Sequence, residues 1–331
     1  MKISTALRIV SLLLLTCGQS TLAIDIERDD VSRFIDSMVK EHEYDRAALE
    51  SVLLQAKTQE SILEAISKPA ERTKEWHEYR AIFLTEERVK AGADFWREHR
   101  QELQRISDDT GVSCEILVGI IGVETYFGRI TGSYRVLDAL ATLAFDYPPR
   151  VKFFRRELQE FLLLVREEGM NATDATGSYA GAMGAPQFMP SSYRAYAVDS
   201  SDDGKRDIWA DWQDVIGSIA NYFVRHGWRP DDEIVAQAIL SRPWQNEPPE
   251  NVLRPEETVQ SLSTQGVMFA TELPGDHKTQ LLTLEGADGE EYWVGFHNFF
   301  VITRYNRSVM YALAVHQLGQ EIAYEVSRGE S

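Results

Sequence analysis

Cysteine is nearly missing: Cys17 and Cys114 are the only two in 331 residues, so no disulfide framework holds this fold. Proline is sparse at 11, and basic side chains are outnumbered, 34 Lys and Arg against 52 Asp and Glu, for a formal charge of −18. A phosphate-binding surface needs the opposite balance, which excludes nucleic acid as the main partner. No apolar run reaches the ~20 residues of a membrane-spanning helix, so no transmembrane segment is expected. What remains is a chain 44% apolar and 26% charged. It can bury a real core and is long enough for about two ordinary domains.

Residues 1–23 read MKISTALRIVSLLLLTCGQSTLA, with Lys2 and Arg8 ahead of a short apolar stretch and small or polar residues up to Ala23. This is the build of a secretory signal peptide, so the chain is expected to be exported. Its removal deletes two basic residues and no acid, deepening the negative charge. Cys17 follows Leu14, Leu15 and Thr16, close to a lipoprotein cleavage box except that Thr16 stands where Gly, Ala or Ser is expected. Cleavage after Ala23 is therefore preferred over lipid anchoring at Cys17, and it leaves Cys114 as the one thiol.

From Ile26 to about Arg105, apolar residues recur three and four apart (Val31, Phe34, Ile35, Met38, Val39), which predicts several short helices broken at Pro69. Another helix is expected from the N-cap candidate Ser113 through CEILVGIIGVETYFGR to Gly128. More are expected over 149–168 and 212–226, with an ordered loop and short helix in GSYAGAMGAPQFMPSSYRAYAV. After Gly227 the segments EIVAQAIL, QGVMFATEL, KTQLLTLEG and EEYWVGFHNFFVITRY carry β-branched and aromatic residues. The turn signals Pro274-Gly275-Asp276 and Ala287-Asp288-Gly289 separate them, predicting a small antiparallel sheet. Helix returns from about Arg307 to Val326. The expected class is mainly α with a small antiparallel β subdomain. The expected divisions are a helical domain (24–110), a catalytic core (111–230), a β domain (231–304) and a C-terminal helix returning to the helical domain (305–331).

Glu124 stands out because its helix is almost wholly apolar (Ile116, Leu117, Val118, Ile120, Ile121, Val123). A carboxylate there must be paired or carry a raised pKa, and a position near the helix C-terminus also disfavours its charge. A carboxylic acid kept protonated can donate to a leaving glycosidic oxygen. The plainer reading, a Glu paired with Arg129 or Arg135, has equal weight on these facts alone.

GVETYFGRITGSYRVLDALATLAFDYPPR, GSYAGAMGAPQFMPSSYRAYAVD, GSIANYFVRHGW and RYNRSVMYALAVHQL occur in this order within a span from Tyr79 to Leu318. Together they resemble the lytic murein transglycosylase B family of bacterial cell-wall enzymes. The resemblance implies a lysozyme-like catalytic core in the periplasm of a Gram-negative bacterium. It implies cleavage of the N-acetylmuramic acid to N-acetylglucosamine bond of peptidoglycan glycan strands without water, closing a 1,6-anhydro ring, with no cofactor for catalysis. Cell-wall synthesis or remodelling proteins are the implied protein partners. Carried over by position, the single acid/base falls on Glu124, with Ser178 and Gln187 beside it. Met183 and Phe188 would supply apolar walls or pack in the core, the latter preferred for Phe188. Tyr222 would be a substrate-binding aromatic close to the acid, and Tyr305, Asn306, Tyr311 and Tyr79 would line the saccharide groove, where phenols stack on sugar faces and reach hydroxyls. The family commonly has two arginines after its Tyr-Pro. Here Pro149 replaces the first and Arg150 keeps the second. A muramidase that uses water and a non-catalytic peptidoglycan-binding scaffold are the competing readings, and the motifs hold no obvious second carboxylate of the kind a hydrolase pairs with its acid.

Asp199, Ser201 and Asp203, then Gly204 and the carbonyl of Lys205, match the front half of an EF-hand loop. Position 12 is Ala210 rather than Glu. The resemblance implies closure by an Asp before the next helix, which points to Asp214, with Asp211 as its neighbour. A structural calcium ion is expected in preference to a solvated acidic turn, and magnesium suits such a flexible oxygen cage less well.

Overall fold

The structure, a computed structural model, describes residues 22–67, 74–242 and 250–329. Most of the signal segment, Cys17 and the expected break at Pro69 lie outside these residues. The amino-terminal part is a series of short helices: α1 (Asp29–His42), α2 (Arg46–Leu53), α3 (Glu60–Ser67), α4 (Trp76–Phe83), α5 (Glu86–Glu98) and α6 (Arg100–Thr110). A two-residue ladder pairs β1 (Leu22–Ala23) with β2 (Lys57–Thr58). Cleavage after Ala23 would delete β1 and leave Ile24, whose N–H donates to the Ala56 carbonyl at 3.2 Å.

The central part is built on α7 (Cys114–Thr125), α8 (Val136–Asp146) and α9 (Val151–Glu168), followed by α10 (Pro190–Tyr196) and α11 (Trp212–Arg225). Strand β3 (Tyr134–Arg135) pairs with β4 (Thr176–Gly177) beside them. Helix α7 stops three residues short of Gly128: Tyr126 and Phe127 both take left-handed backbone, φ 51° and 57°. Burial of the Phe127 ring, stacked on Phe95 at 5.6 Å, offsets the cost of that turn. Glu124 is thereby the second-last residue of α7. Ser113 is the N-cap by position but makes no side-chain cap bond.

The sheet strands are β5 (Val235–Leu240), β6 (Glu257–Thr258), β7 (Val267–Phe269), β8 (Lys278–Gly286) and β9 (Gly289–Gly295), in the order β6-β8-β9-β5-β7, all neighbours antiparallel. The Ala287-Asp288 turn joins β8 to β9 as a two-residue hairpin, with Gly289 at φ 117°. Helix α12 (Val259–Gln265) packs against β6, β7 and β8. The run EEYWVGFHNFFVITRY is strand only as far as Gly295; α13 (His297–Tyr305) follows, then α14 (Val309–Arg328). Residues 298–303 are all buried, and an apolar stretch buried on every side has neither a period of two nor of 3.6 to read.

Helix α14 is the spine, packing on α7, α5, α4 and α13. It crosses α7 so closely that a Cβ on Gly119 would lie 2.4 Å from the Val315 carbonyl oxygen, and one on Gly319 would lie 2.2 Å from that of Glu115. Any side chain at these two positions must push the helices apart. Gly319→Ala is expected to destabilise the protein by about 2 kcal/mol despite alanine's better helix propensity. A drop in the denaturant midpoint at unchanged slope is the readout, and an unchanged midpoint would show that the crossing tolerates a methyl group.

Candidate active site

Glu124 is half-buried at the mouth of α7. The Tyr311 hydroxyl, carried on α14, donates to its Oε1 at 2.5 Å. Tyr311 is itself almost fully buried. Burial first, and the Glu124 charge second, push its phenol well above the ordinary value, so it stays a donor at all working pH. Of the two arginines considered as partners for Glu124, Arg135 is bound to Asp138 at 2.5 Å and Arg129 stacks over Tyr126 at 4.9 Å.

Tyr305 stacks parallel to Tyr311, rings 6.5 Å apart and 12° off plane. Burial, then the Glu124 charge, raises its phenol too. Its hydroxyl donates to the Pro186 carbonyl at 2.7 Å. Tyr222 lies 4.8 Å from the Tyr305 ring and donates to the Arg304 carbonyl at 2.6 Å. Tyr305, Tyr311 and Tyr222 thus form one packed cluster on Glu124. Tyr79 is buried rather than open to a groove. Phe188 is buried between Tyr222 and Tyr305, 5.9 Å from each, and packs in the core as preferred; Met183 is fully buried and is core as well, not a wall.

The loop between β4 and α10 closes over the end of α7. Met183 and Phe188 exchange both main-chain hydrogen bonds, and the Ser178 Oγ accepts from the N–H groups of Ala180 and Ala182 at 3.3 and 3.1 Å. Ser178 therefore shapes the turn. Gln187, at φ 53°, donates both amide hydrogens, to the Thr131 and Gly184 carbonyls at 3.0 and 2.8 Å. Its Oε1 keeps its lone pairs as an acceptor. Thr125, absent from the sequence expectations, locks this loop to α7: its buried hydroxyl donates to the Ala185 carbonyl at 3.1 Å and accepts from Gly128 N–H at 3.1 Å. Arg88 is absent from them too; its half-buried guanidinium donates to the Gly122 carbonyl at 2.9 Å near the end of α7. Neither has a local signal, because both act across 34 or more residues of chain.

A groove of about 750 Å³ runs up to this cluster, lined by Tyr147, Arg150, Phe153, Tyr179, Tyr305 and Asn306 among others. Arg150 lies over the Phe153 ring at 4.1 Å and is otherwise exposed.

In the EF-hand-like loop, Asp199 accepts from Asp203 and Gly204 N–H, and Asp203 from Lys205 N–H. Asp214, fully buried, accepts from Ser200 and Ser201 N–H on one oxygen and from Asp207 N–H on the other. Asp211 caps α11 instead. Ser201 Oγ is buried with no hydrogen-bond partner, while no three acidic, His or Cys side chains among the described residues converge as a metal cluster.

A family model described as "Transglycosylase SLT domain" matches residues 27–320. The membrane-bound lytic murein transglycosylase B of Escherichia coli strain K12 is 42% identical over 303 residues, 89% of this chain and 82% of that protein. The lytic transglycosylase SltB1 of Pseudomonas aeruginosa superposes with a TM-score of 0.86 at 48% identity, covering 90% of this chain and 98% of that one. The Escherichia coli lytic transglycosylase Slt35, solved in complex with calcium, gives 0.83 at 40% identity over 93% and 97%.

Tyr311→Phe deletes the donor to Oε1 of Glu124. A hydrogen bond to a charged acceptor is worth about 1.5–3 kcal/mol, so kcat is expected to fall roughly 10- to 100-fold. The basic limb of the pH profile should move up, because the lost donor favoured the carboxylate. An unmoved limb would detach Tyr311 from the ionisation that controls the rate.

Proposed function

The chain belongs to the transglycosylase SLT family and is a peptidoglycan lytic transglycosylase with a lysozyme-like fold; on that premise we propose that Glu124 is its single acid and base. In this reading the protonated carboxyl gives its proton to the glycosidic oxygen as the bond to C1 of N-acetylmuramic acid breaks. The resulting carboxylate then takes the proton of the C6 hydroxyl as O6 closes on C1, which returns the acid and leaves a 1,6-anhydro end. One carboxylate suffices because the nucleophile belongs to the sugar, whereas a hydrolase normally needs a second carboxylate to activate water or attack C1.

The observation that carries this reading is the Tyr311 bond to Oε1, beside a groove that Tyr305, stacked on Tyr311, helps to line. With Oε1 engaged as an acceptor, the moving proton belongs on Oε2. Tyr311 steadies the carboxylate half-way through the cycle without losing its own proton. Gln187 Oε1 and the Ser178 hydroxyl are assigned to the sugar's N–H and carbonyl groups, Tyr305, Tyr222 and Tyr79 to holding Tyr311 and the loop, and Asn306 and Arg150 to the groove wall. The segment 1–23 suits export to the periplasm. Among the described residues no helix is long and apolar enough to cross a membrane.

For calcium, the donor set is all oxygen. Ser201 Oγ, buried and unpartnered at the third loop position, is the group an ion would satisfy. Asp199, Ser201, Asp203, the Lys205 carbonyl and Asp214 would hold it once drawn together around it, each carboxylate keeping lone pairs beyond its N–H bonds. The ion would be structural, tying the catalytic loop to α11, and takes no part in the bond cleavage.

Digestion of purified peptidoglycan, with products read by mass, tests the chemistry. The wild type should release muropeptides one water lighter than hydrolysis products, and Glu124→Gln should lose at least 10³-fold in rate. Ordinary reducing ends would establish the muramidase reading instead, and full activity in the variant would remove Glu124 from the mechanism. For the ion, EDTA should lower the melting temperature and calcium restore it better than magnesium. A melt indifferent to all three would count against a bound cation.

A further inference from the structure

The loop over the end of α7 narrows to a four-residue tip, Gly184 to Gln187. Met183 and Phe188 close its base, and Gln187 N–H returns to the Gly184 carbonyl at 3.3 Å. Gly184 and Gln187 both take left-handed backbone, φ 63° and 53°. A glutamine is strained there, and it keeps such a conformation only when its surroundings impose it. Three elements hold the tip, each through a different main-chain group. The Ala185 N–H donates to the Ile208 carbonyl of the EF-hand-like loop at 2.9 Å, the Pro186 carbonyl accepts from Tyr305 of α13 at 2.7 Å, and the Ala185 carbonyl accepts from Thr125 of α7 at 3.1 Å.

The Thr125 contact differs from the other two because it starts from the residue next to Glu124. A threonine inside a helix commonly gives its hydroxyl proton back to the carbonyl four residues earlier. Here that carbonyl, of Ile121, is the more distant acceptor at 3.4 Å, and Ala185, 60 residues further along the chain, is the nearer. The hydroxyl oxygen is engaged as well, by the Gly128 N–H at 3.1 Å, and the side chain is fully buried. One β-branched side chain, stiff at χ1, thus ties together the end of α7, the turn that follows it and the loop tip.

We propose that Thr125 is a positioning residue for the chemical step, an inference that rests on the reading of Glu124 and Gln187 above. Its hydroxyl sets where the Gln187 amide stands relative to the Glu124 carboxyl, so that the two close on one sugar as a rigid pair. Being buried, Thr125 meets no substrate itself. The strand is gripped along the groove by other side chains, Arg150 and Tyr179 among them. Releasing the tip therefore leaves binding of the strand in place and misaligns the amide at the reacting sugar, and small misplacements of that kind are paid in rate.

The test follows release of anhydro ends from purified peptidoglycan, at a temperature where circular dichroism shows each variant folded. Thr125→Val keeps the shape and loses the hydroxyl, and its kcat should fall about tenfold with KM unchanged. Thr125→Ser keeps the hydroxyl and should recover most of that loss. Both limbs of the Thr125→Val pH profile should stay where the wild type has them, because the Tyr311 bond to Glu124 is untouched. A hydroxyl that only stabilises the fold would lower the melting temperature of Thr125→Val and leave kcat alone, and that result overturns the proposal. So does a serine variant no better than valine, or a shifted limb, which would make Thr125 act through the ionisation of Glu124. If Thr125→Val does not fold, Tyr305→Phe decides by freeing the neighbouring Pro186 carbonyl: full kcat there shows that the tip can loosen without loss of rate and overturns the proposal, and a fall in kcat at unchanged KM supports it. Anhydro release by the wild type with full activity in Thr125→Val removes the role of Thr125 alone, while no anhydro product from the wild type removes the reading on which it rests.

Discussion

The close crossing of α7 and α14 is the constraint on which the site depends. Two helices normally keep their axes 8–10 Å apart because side chains fill the gap. Here Gly119 and Gly319 remove that filling, and each approaches the other helix's main-chain carbonyl. The approach sets the register along α14, and the register decides which residue stands over the end of α7. That residue is Tyr311, and its hydroxyl reaches the Glu124 carboxyl. The distance that matters to chemistry is thus fixed by packing two turns away from it.

Around that pair, the protein spends aromatic surface on rigidity. Tyr305, Tyr222 and Phe188 each touch at least two other rings of the cluster, and the hydroxyls of the two tyrosines end on main-chain carbonyls rather than on water. A phenol tied to a carbonyl cannot swing. The loop over the acid is tied the same way, by Thr125 from below and Gln187 from within. A carboxyl held against fixed donors needs little reorganisation as its charge comes and goes, which is how preorganised sites lower barriers.

Much of this was legible in the chain before any coordinates. A carboxylate near the end of an almost wholly apolar helix drew attention to Glu124 but left an ion pair equally open, and the resemblance of the surrounding motifs singled it out. Turn chemistry located the β8–β9 hairpin through Ala287-Asp288-Gly289, and the mixed loop before α10 was correctly read as ordered. What failed were questions of which side a residue faces. Tyr79, Tyr311 and Met183 were expected at a groove and are buried, since the same residue type serves stacking on sugar and filling a core. The stretch 297–305 was expected as strand because an evenly apolar run carries no period. Thr125, Arg88 and the two crossing glycines act only on partners distant in sequence, and such contacts have no local trace.

The order in which the chain emerges gives the α7–α14 crossing one more meaning. Glu124 is made early, but Tyr305 and Tyr311, which complete its surroundings, belong to the last two helices. A chain still being synthesised therefore carries this carboxyl without its donor. The Tyr311–Glu124 bond forms only once the last helix has folded onto α7.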